Sequence, residues 1–260
     1  MNLNEQKAIW QAVERRAQIK GWDFSEIEGK WADGDALLPW NFEAIVQQYR
    51  RDDMRLLDMD TGGGEFLLSL GHPHDKTAAT EGWAPNVQLC RERLLPLGID
   101  FRPMQDESAM PFDDAQFDVI LNRHGSYDVS ELWRVLKPGG IFLTQQVGAE
   151  NDRELVTRLL PEAQIPFPEQ CLDTQLAVFR SAGFEILAAD EAYRPIRFFD
   201  TAALIWFAKV IVWEFAGFSV DRCFPQLVKT EAEIKEKGAV CGSIHRYYLI
   251  AQKPETEQTQ

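Results

Sequence analysis

Three consecutive glycines, Gly62, Gly63 and Gly64, follow the short apolar run MRLLDMD and Thr61. Glycine reaches positive φ without a side-chain penalty and lets backbone N–H groups come close to a ligand. A strand, a glycine cluster and then a helix also present a helix N-terminus, which favours negative or electron-rich groups. Glu81 stands 23 residues beyond Asp58, at the end of a second strand candidate. An acid there is placed to accept hydrogen bonds from ribose hydroxyls. A plain tight turn and a solvated strand-end carboxylate are the alternatives. The GxGxxG spacing of dinucleotide sites is not met, because the glycines are consecutive, and no GxxxxGK[ST] phosphate loop is present. The indicated chemistry is that of a nucleoside site rather than a pyrophosphate or triphosphate site.

A second group of polar residues, NRHGSYD at 122–128, follows a later strand candidate. Ligands of open α/β sheets bind at the C-terminal ends of strands. His124 is the best candidate for a general base, since an ordinary imidazole titrates near neutrality; a loop histidine bonded to nearby backbone is the alternative. Tyr127 and Asp128 shape the pocket or cap the next helix. His72, His74 and Asp75 in GHPHD suggest a metal, but no further ligand set accompanies them. A surface loop is the favoured reading and no metal is expected. His245 begins the last strand candidate and has no recognisable partner.

These residues need a frame. MRLLDMD, HDKTAATE, IDFRPM, FDVILN, IFLTQQV, FEILAAD and HRYYLIAQK read as seven strands. Helices read over APNVQLCRERL, with Pro85 near its start where a missing N–H costs little, over SELWRVL, stopped by Lys137-Pro138-Gly139-Gly140, and over 172–182, ended by Gly183. Strands alternating with helices indicate a doubly wound, Rossmann-like, mostly parallel α/β sheet. An amphipathic helix at 4–20 and a second helix at 41–50 make residues 1–50 a helical N-terminal cap. The core then spans 51–190, a helical insertion 191–243, the last strand 244–252, and a polar disordered tail 253–260.

The insertion is aromatic, with Tyr193, Phe198, Phe199, Trp206, Phe207, Trp213, Phe215, Phe218 and Phe224. Residues 201–215 read as a helix apolar nearly all round, which calls for burial. It is extra core, an acceptor lid working with Trp22, Phe24, Trp31 and Trp40, or a dimer interface. A lid suits a small, partly apolar acceptor. Tyr193-Arg194-Pro195-Ile196-Arg197 is a local basic spot suited to a carboxylate or phosphate.

Composition narrows the classes. The 260 residues include 27 Lys and Arg against 41 Asp and Glu, a formal net charge of −14. Nucleic-acid binding draws its affinity from cations facing phosphates, so this balance weighs against nucleic acid and against anionic membranes. Cys90, Cys171, Cys223 and Cys241 form no CxxC pair, which fits reduced thiols in a cytoplasmic protein. The N-terminus lacks a basic-then-apolar leader pattern. The apolar run at 202–218 is interrupted by Lys209 and Glu214, too short to span a bilayer.

Four segments in order then resemble class I S-adenosylmethionine-dependent methyltransferases, over 56–147 and more loosely through the last strand. LLDMDTGGGEF looks like the family's first motif, ATEGW like its second-strand acid, QDESAMPFDDAQFDVIL like the adenine-contacting segment, and ELWRVLKPGGIFLTQQV like the fourth helix, turn and fifth strand. The resemblance implies an enzyme that methylates a small-molecule acceptor at oxygen or nitrogen, acting as monomer or homodimer. Ribosomal RNA methylation and non-catalytic cofactor binding are its alternatives. It implies an antiparallel last strand between strands five and six. Asp58 would orient the methionine ammonium; Asp60, Thr61, Gly62 and Gly64 would form the cofactor loop; Glu81 would hold the ribose and Trp83 flank the adenine. Asp106 would accept from the adenine amine, with Glu107 beside it, and Asn122 would sit next to the methyl donor. Asp60 departs from the family pattern by replacing the first glycine of the loop. Aspartate tolerates the left-handed region, and its charge attracts an ammonium while repelling a carboxylate, so Asp60→Gly is expected to preserve or improve affinity.

Overall fold

The computed structural model describes residues 2–19 and 23–255. Trp22, Lys20 at the end of the first expected helix, and residues 256–260 of the expected tail lie outside them. The chain forms two compact units, one of Met1–Leu38, Ala149–Pro168 and Ala192–His245, the other of Pro39–Gly148, Glu169–Glu191 and Arg246–Gln260. The division differs from a 1–50 cap and a 51–190 core. The second helix falls in the second unit, and residues 149–168 fall in the first.

The second unit holds the parallel sheet. Strands β2 (Leu56–Met59), β3 (Thr77–Glu81), β4 (Asp100–Pro103), β5 (Phe117–Arg123) and β6 (Leu136–Val147) pair in parallel: β2 with β3 and β5, β3 with β4, and β5 with β6. β7 (Glu185–Phe198) and β8 (Val240–Gln252) contribute residues to both units, and β8 runs antiparallel to β6. With Trp31–Ala32 as β1, the hydrogen-bonded order is β1-β7-β8-β6-β5-β2-β3-β4. The last strand therefore lies between β6 and β7, as expected. The sheet has eight strands rather than seven, because Trp31–Ala32 (β1), read as loop from the sequence, pairs antiparallel with Phe198 and Arg197 of β7.

Both faces of this sheet are covered, as a parallel sheet requires. Leu57 packs in one cluster with Phe117, Ile120, Phe142 and Phe179, while Leu56 packs in another with Val119, Leu121, Leu143 and Cys90. The alternation places helices α4 (Ala84–Arg93) and α2 (Phe42–Tyr49) on the second cluster and α5 (Val129–Val135) and α7 (Leu172–Ser181) on the first. LKPGG does not simply stop α5. Residues 137–140 bulge within β6, where the register shifts between Phe117↔Leu136 and Val119↔Ile141. Chain order reverses between β2 and β5, so the C-terminal ends of these two strands form the switch point where such sheets bind ligands. Met59 pairs with Asn122 there.

The first unit packs α1 (Leu3–Arg16), α6 (Arg153–Leu159), α8 (Thr201–Val210) and α9 (Val220–Lys237) around Trp10, Leu155, Leu204, Trp206, Phe207, Phe215 and Cys223. α8 is buried along almost its whole length, as its all-round apolar character requires. It stops at Val210 instead of reaching residue 215, at the β-branched run Val210-Ile211-Val212, which is poor in helix propensity. Among the described residues, no helix is long and apolar enough to cross a membrane.

Candidate functional site

The glycine loop leaves β2 at Met59 and enters the short helix α3 (Glu65–Ser69). Asp60 and Gly62 adopt φ of 52° and 64°. Asp60 survives there because a short polar side chain tolerates the left-handed region. The Thr61 amide donates to the Thr80 carbonyl at 3.0 Å, which ties the loop to β3, and the Thr61 hydroxyl donates to Asp58 Oδ2 at 2.6 Å. A β-carbon at Gly62 would meet no atom within 4 Å, so the backbone is open to a ligand at that point. Beneath it the buried Cys90 thiol donates to the Gly62 carbonyl at 3.1 Å, and burial pushes that thiol up to about 12.

Glu81 is 5% exposed and accepts four hydrogen bonds. Oε1 takes the amides of Gly82 and Trp83 at 2.9 and 2.8 Å; Oε2 takes the Gly62 amide at 2.9 Å and Asn86 Nδ2 at 3.2 Å. A carboxylate offers about four acceptor positions. Glu81 thus clamps the glycine loop to the start of α4 rather than presenting a bare carboxylate at the strand end. Trp83 stands 46% exposed at the N-cap of α4.

The loops after β4 and β5 converge on Asp60. A β-carbon at Gly125 would lie 2.7 Å from Asp60 Cβ and 2.9 Å from Asn122 Nδ2. Asp60 therefore fits only because residue 125 is glycine. Next to it the Ser126 hydroxyl donates to Glu107 Oε1 at 2.7 Å. Asn122 is wholly buried; its Oδ1 accepts from Gln146 Nε2 at 2.6 Å. Asp106 is exposed, with Oδ1 taken by the amide and hydroxyl of Ser108, which hold its carboxyl below the usual range. We expect Gly125→Ala to lower stability by about 1–3 kcal/mol through overpacking, and Asp60→Gly to relieve most of that loss. Additive losses in a denaturation double-mutant cycle would show that the two residues do not share this seat.

Electrostatics follow from the same packing. Burial raises Asp58 to about 7, against the opposing Thr61 hydrogen bond and Arg123. Burial, then Glu81, Glu107 and Asp58, raise Asp60 to about 7. His124 sits at φ 65° with its amide on the Gln145 carbonyl, and its Nδ1 is buried without a partner. Burial, Arg246 and Arg123 hold it well below the ordinary imidazole value. His124 is thus a neutral ring, not one poised near neutrality.

Other sequence readings change. His72 is buried, not on a surface loop, with Nε2 3.0 Å from the Met54 carbonyl and Nδ1 3.3 Å from Arg50. Among the described residues no His, Cys, Asp and Glu cluster could hold a metal ion. His245 lies inside β8, stacks on Tyr193 at 4.3 Å and accepts the Glu150 amide at Nδ1. Asp128 caps α5, while Tyr127 packs on Phe142 and Phe179. Arg194 is spent on the carbonyls of Leu37 and Tyr193. Gln145 and Gln146 join the site, and two amides ending an apolar strand are their signal in the sequence; Trp40 Nε1 donates to Gln145 Oε1 at 2.8 Å.

Residues 57–144, which contain the glycine loop, Glu81, Asp106 and Asn122, match the family model described as a methyltransferase domain. About a third of this chain thus matches a methyltransferase domain. Over 98 residues the chain is 36% identical to a phthiotriol/phenolphthiotriol dimycocerosates methyltransferase of Mycobacterium tuberculosis, covering 35% of this chain and 36% of that protein. The match thus spans about a third of that relative's length. A demethylmenaquinone methyltransferase of Thermus thermophilus is 25% identical over 173 residues, covering 61% of this chain and 79% of the relative. A Bacillus halodurans C-125 structure, provisionally assigned as a methyltransferase, superposes with a TM-score of 0.58 at 18% identity, over 82% of this chain and 99% of that one. At that identity the likeness is one of fold, and the chain has the Rossmann-like sheet it implies.

Proposed function

We propose that this chain transfers the methyl group of S-adenosylmethionine to an oxygen or nitrogen of a small, partly apolar acceptor. The observation that carries the reading is the open, positive-φ backbone at Gly62, set beside the buried Asp58 at the sheet's switch point. When bound, S-adenosylmethionine supplies a methyl group on a positively charged sulfur. Asp58 and Asp60 are the carboxyls available to its cationic end. Gly62 offers backbone to the methionine and ribose portions, and Glu81 fixes that backbone in place. Trp83 would flank the adenine, Asp106 and Glu107 would be available to its amine, and Asn122, held by Gln146, would stand beside the methyl donor.

His124 is the candidate base. Its ring is neutral, but burial, Arg246 and Arg123 oppose its protonation, so it would act as a base only if the bound acceptor stabilises the imidazolium. Positioning of the acceptor supplies the larger share of rate, up to about 7–11 kcal/mol in ideal cases. The relatives' names, a dimycocerosates lipid enzyme and a demethylmenaquinone enzyme, support an apolar acceptor. The acidic balance continues to weigh against ribosomal RNA.

A second reading, cofactor binding without transfer, is favoured by the four protein donors that already fill Glu81. Calorimetry with S-adenosylmethionine and its demethylated product, followed by a methyl-transfer screen on lipid and quinone extracts, separates the two. Binding with no turnover selects the second reading; no binding removes both. His124→Asn keeps a residue that tolerates positive φ. It is expected to lose turnover by about 10²-fold or more at unchanged cofactor affinity, and unchanged turnover would exclude the base role.

A further inference from the structure

We infer that Asp60 is the cation-accepting group of the glycine loop, and that a cationic ligand entering the loop displaces a proton from it. The inference rests on the cofactor reading above and goes beyond it by assigning a role to the residue that departs from the family pattern. Four carboxyls face one another here. Asp58 comes from β2, Asp60 from the loop, Glu81 from β3, and Glu107 from the segment after β4. Three have internal donors. Asp58 takes the Thr61 hydroxyl, Glu81 takes three amides and Asn86, and Glu107 takes the Ser126 hydroxyl. Asp60 accepts no hydrogen bond from any described residue, and its seat on Gly125 keeps it from turning away. Arg123, beyond Asp58, leans on the Phe66 ring with its guanidinium carbon 5.0 Å from the centroid.

Like charges in a poorly solvated site do not all stay ionised. Burial, then Glu81, Glu107 and Asp58, raise Asp60 to about 7, and burial raises Asp58 as far. Asp58 keeps the Thr61 hydroxyl as a standing donor and Asp60 has none, so the proton on Asp60 is the one a cationic ligand displaces. A ligand's ammonium or sulfonium supplies the partner that Asp60 lacks, and the proton leaves to solvent. Binding then tightens as pH rises to neutrality, by about tenfold per pH unit for one proton released, and levels off above it. Above neutrality this reverses the expectation from sequence alone, because Asp60→Gly removes an ionised counter-charge and weakens binding.

The test is calorimetry of S-adenosylmethionine and its demethylated product with the full chain, at about pH 6 and about pH 8.5, each in two buffers of different ionisation enthalpy. The expected result is release of close to one proton per ligand at the lower pH and none at the higher. Asp60→Asn, which keeps the side chain's shape and tolerates positive φ, is expected to bind with most of that release abolished. If its melting temperature shows a damaged fold, Asp60→Gly serves for the same measurement. Binding without proton release, or equal release in wild type and variant, overturns the inference alone. Absence of binding at both pH values overturns the cofactor reading and the inference with it.

Discussion

Glu81→Ala is expected to lower stability by about 2–4 kcal/mol and to abolish binding of S-adenosylmethionine. The estimate follows from what the side chain leaves behind. The amides of Gly62, Gly82 and Trp83 and the Asn86 amide all lose their acceptor. A buried donor left unsatisfied costs about 1–3 kcal/mol, and water entering from the Trp83 side offsets part of the sum. At roughly 2–4 °C per kcal/mol for a chain of this size, the melting temperature falls by several degrees. Gly82 has no room to adjust, since a β-carbon there would lie 2.5 Å from the Met104 carbonyl oxygen.

Glu81→Gln separates scaffold from ligand contact. Its oxygen satisfies one pair of donors while its NH2 opposes the other pair, so an intermediate loss is expected. If Glu81→Ala melts within a degree of wild type, the clamp contributes little and Glu81 acts only on ligand. A calorimetric titration of the folded Glu81→Gln protein then reports what remains of binding.

The core of this arrangement was legible in the sequence, because local signals and tertiary demands agree there. Short apolar strands, a glycine cluster and Glu81 at a fixed separation fix β2, the loop and β3, and the switch point follows from the strand–helix alternation. The long insertion read less well. α9 carries Val220, Cys223, Leu227, Thr230 and Ile234 on its buried face, a Ser219 N-cap and Gly238 beyond its end. Its helical period was present, but Pro225 inside the segment argues against a helix, since proline removes a donor and crowds the preceding turn. β7 and β8 extend well past their apolar centres for a similar reason. The far end of β7 alternates with exposed and charged residues such as Glu191 and Arg197, and β8 starts on Val240-Cys241-Gly242-Ser243, where glycine and serine read as loop. Within the site, residue types were legible and their partners were not. Nothing local reveals that Glu81 also takes the Gly62 amide, that Asp60 needs Gly125, or that Arg246 stands near His124, because each depends on segments far apart in the chain.

The ligand-free protein is expected to be most stable near pH 6 and to lose stability toward pH 8. Folded Asp58 and Asp60 hold their protons up to about 7, whereas in the unfolded chain an aspartate loses its proton near 3.8. Between those values the folded state binds more protons, so the contribution of each is complete below the lower value and is lost as pH rises through the upper one. His124 and His72 act in the opposite sense. Both are depressed below 6.5, His124 strongly, chiefly by burial. An unfolded imidazole takes a proton below about 6.5 that the folded ring refuses, so their stabilisation is lost as pH falls. Between about pH 5 and 6 two gains and two losses oppose each other, whereas above about 6.5 the histidines are neutral in both states and only the carboxyls act. Carboxyls held low, such as Asp118 beside Lys137 and Glu131 beside Arg134, enter only in stronger acid. Melting temperature against pH checks the shape. Asp58→Asn, which still accepts from Thr61, should flatten the alkaline limb, and His124→Asn the acid limb. Saturating S-adenosylmethionine should flatten the alkaline limb as well, because its positive charge stabilises the ionised carboxyls that make the empty loop unstable. A melting temperature that climbs steadily from pH 6 to 8 in the empty protein would mean that Asp58 and Asp60 are already ionised and solvated, and that the loop holds its charge without a ligand.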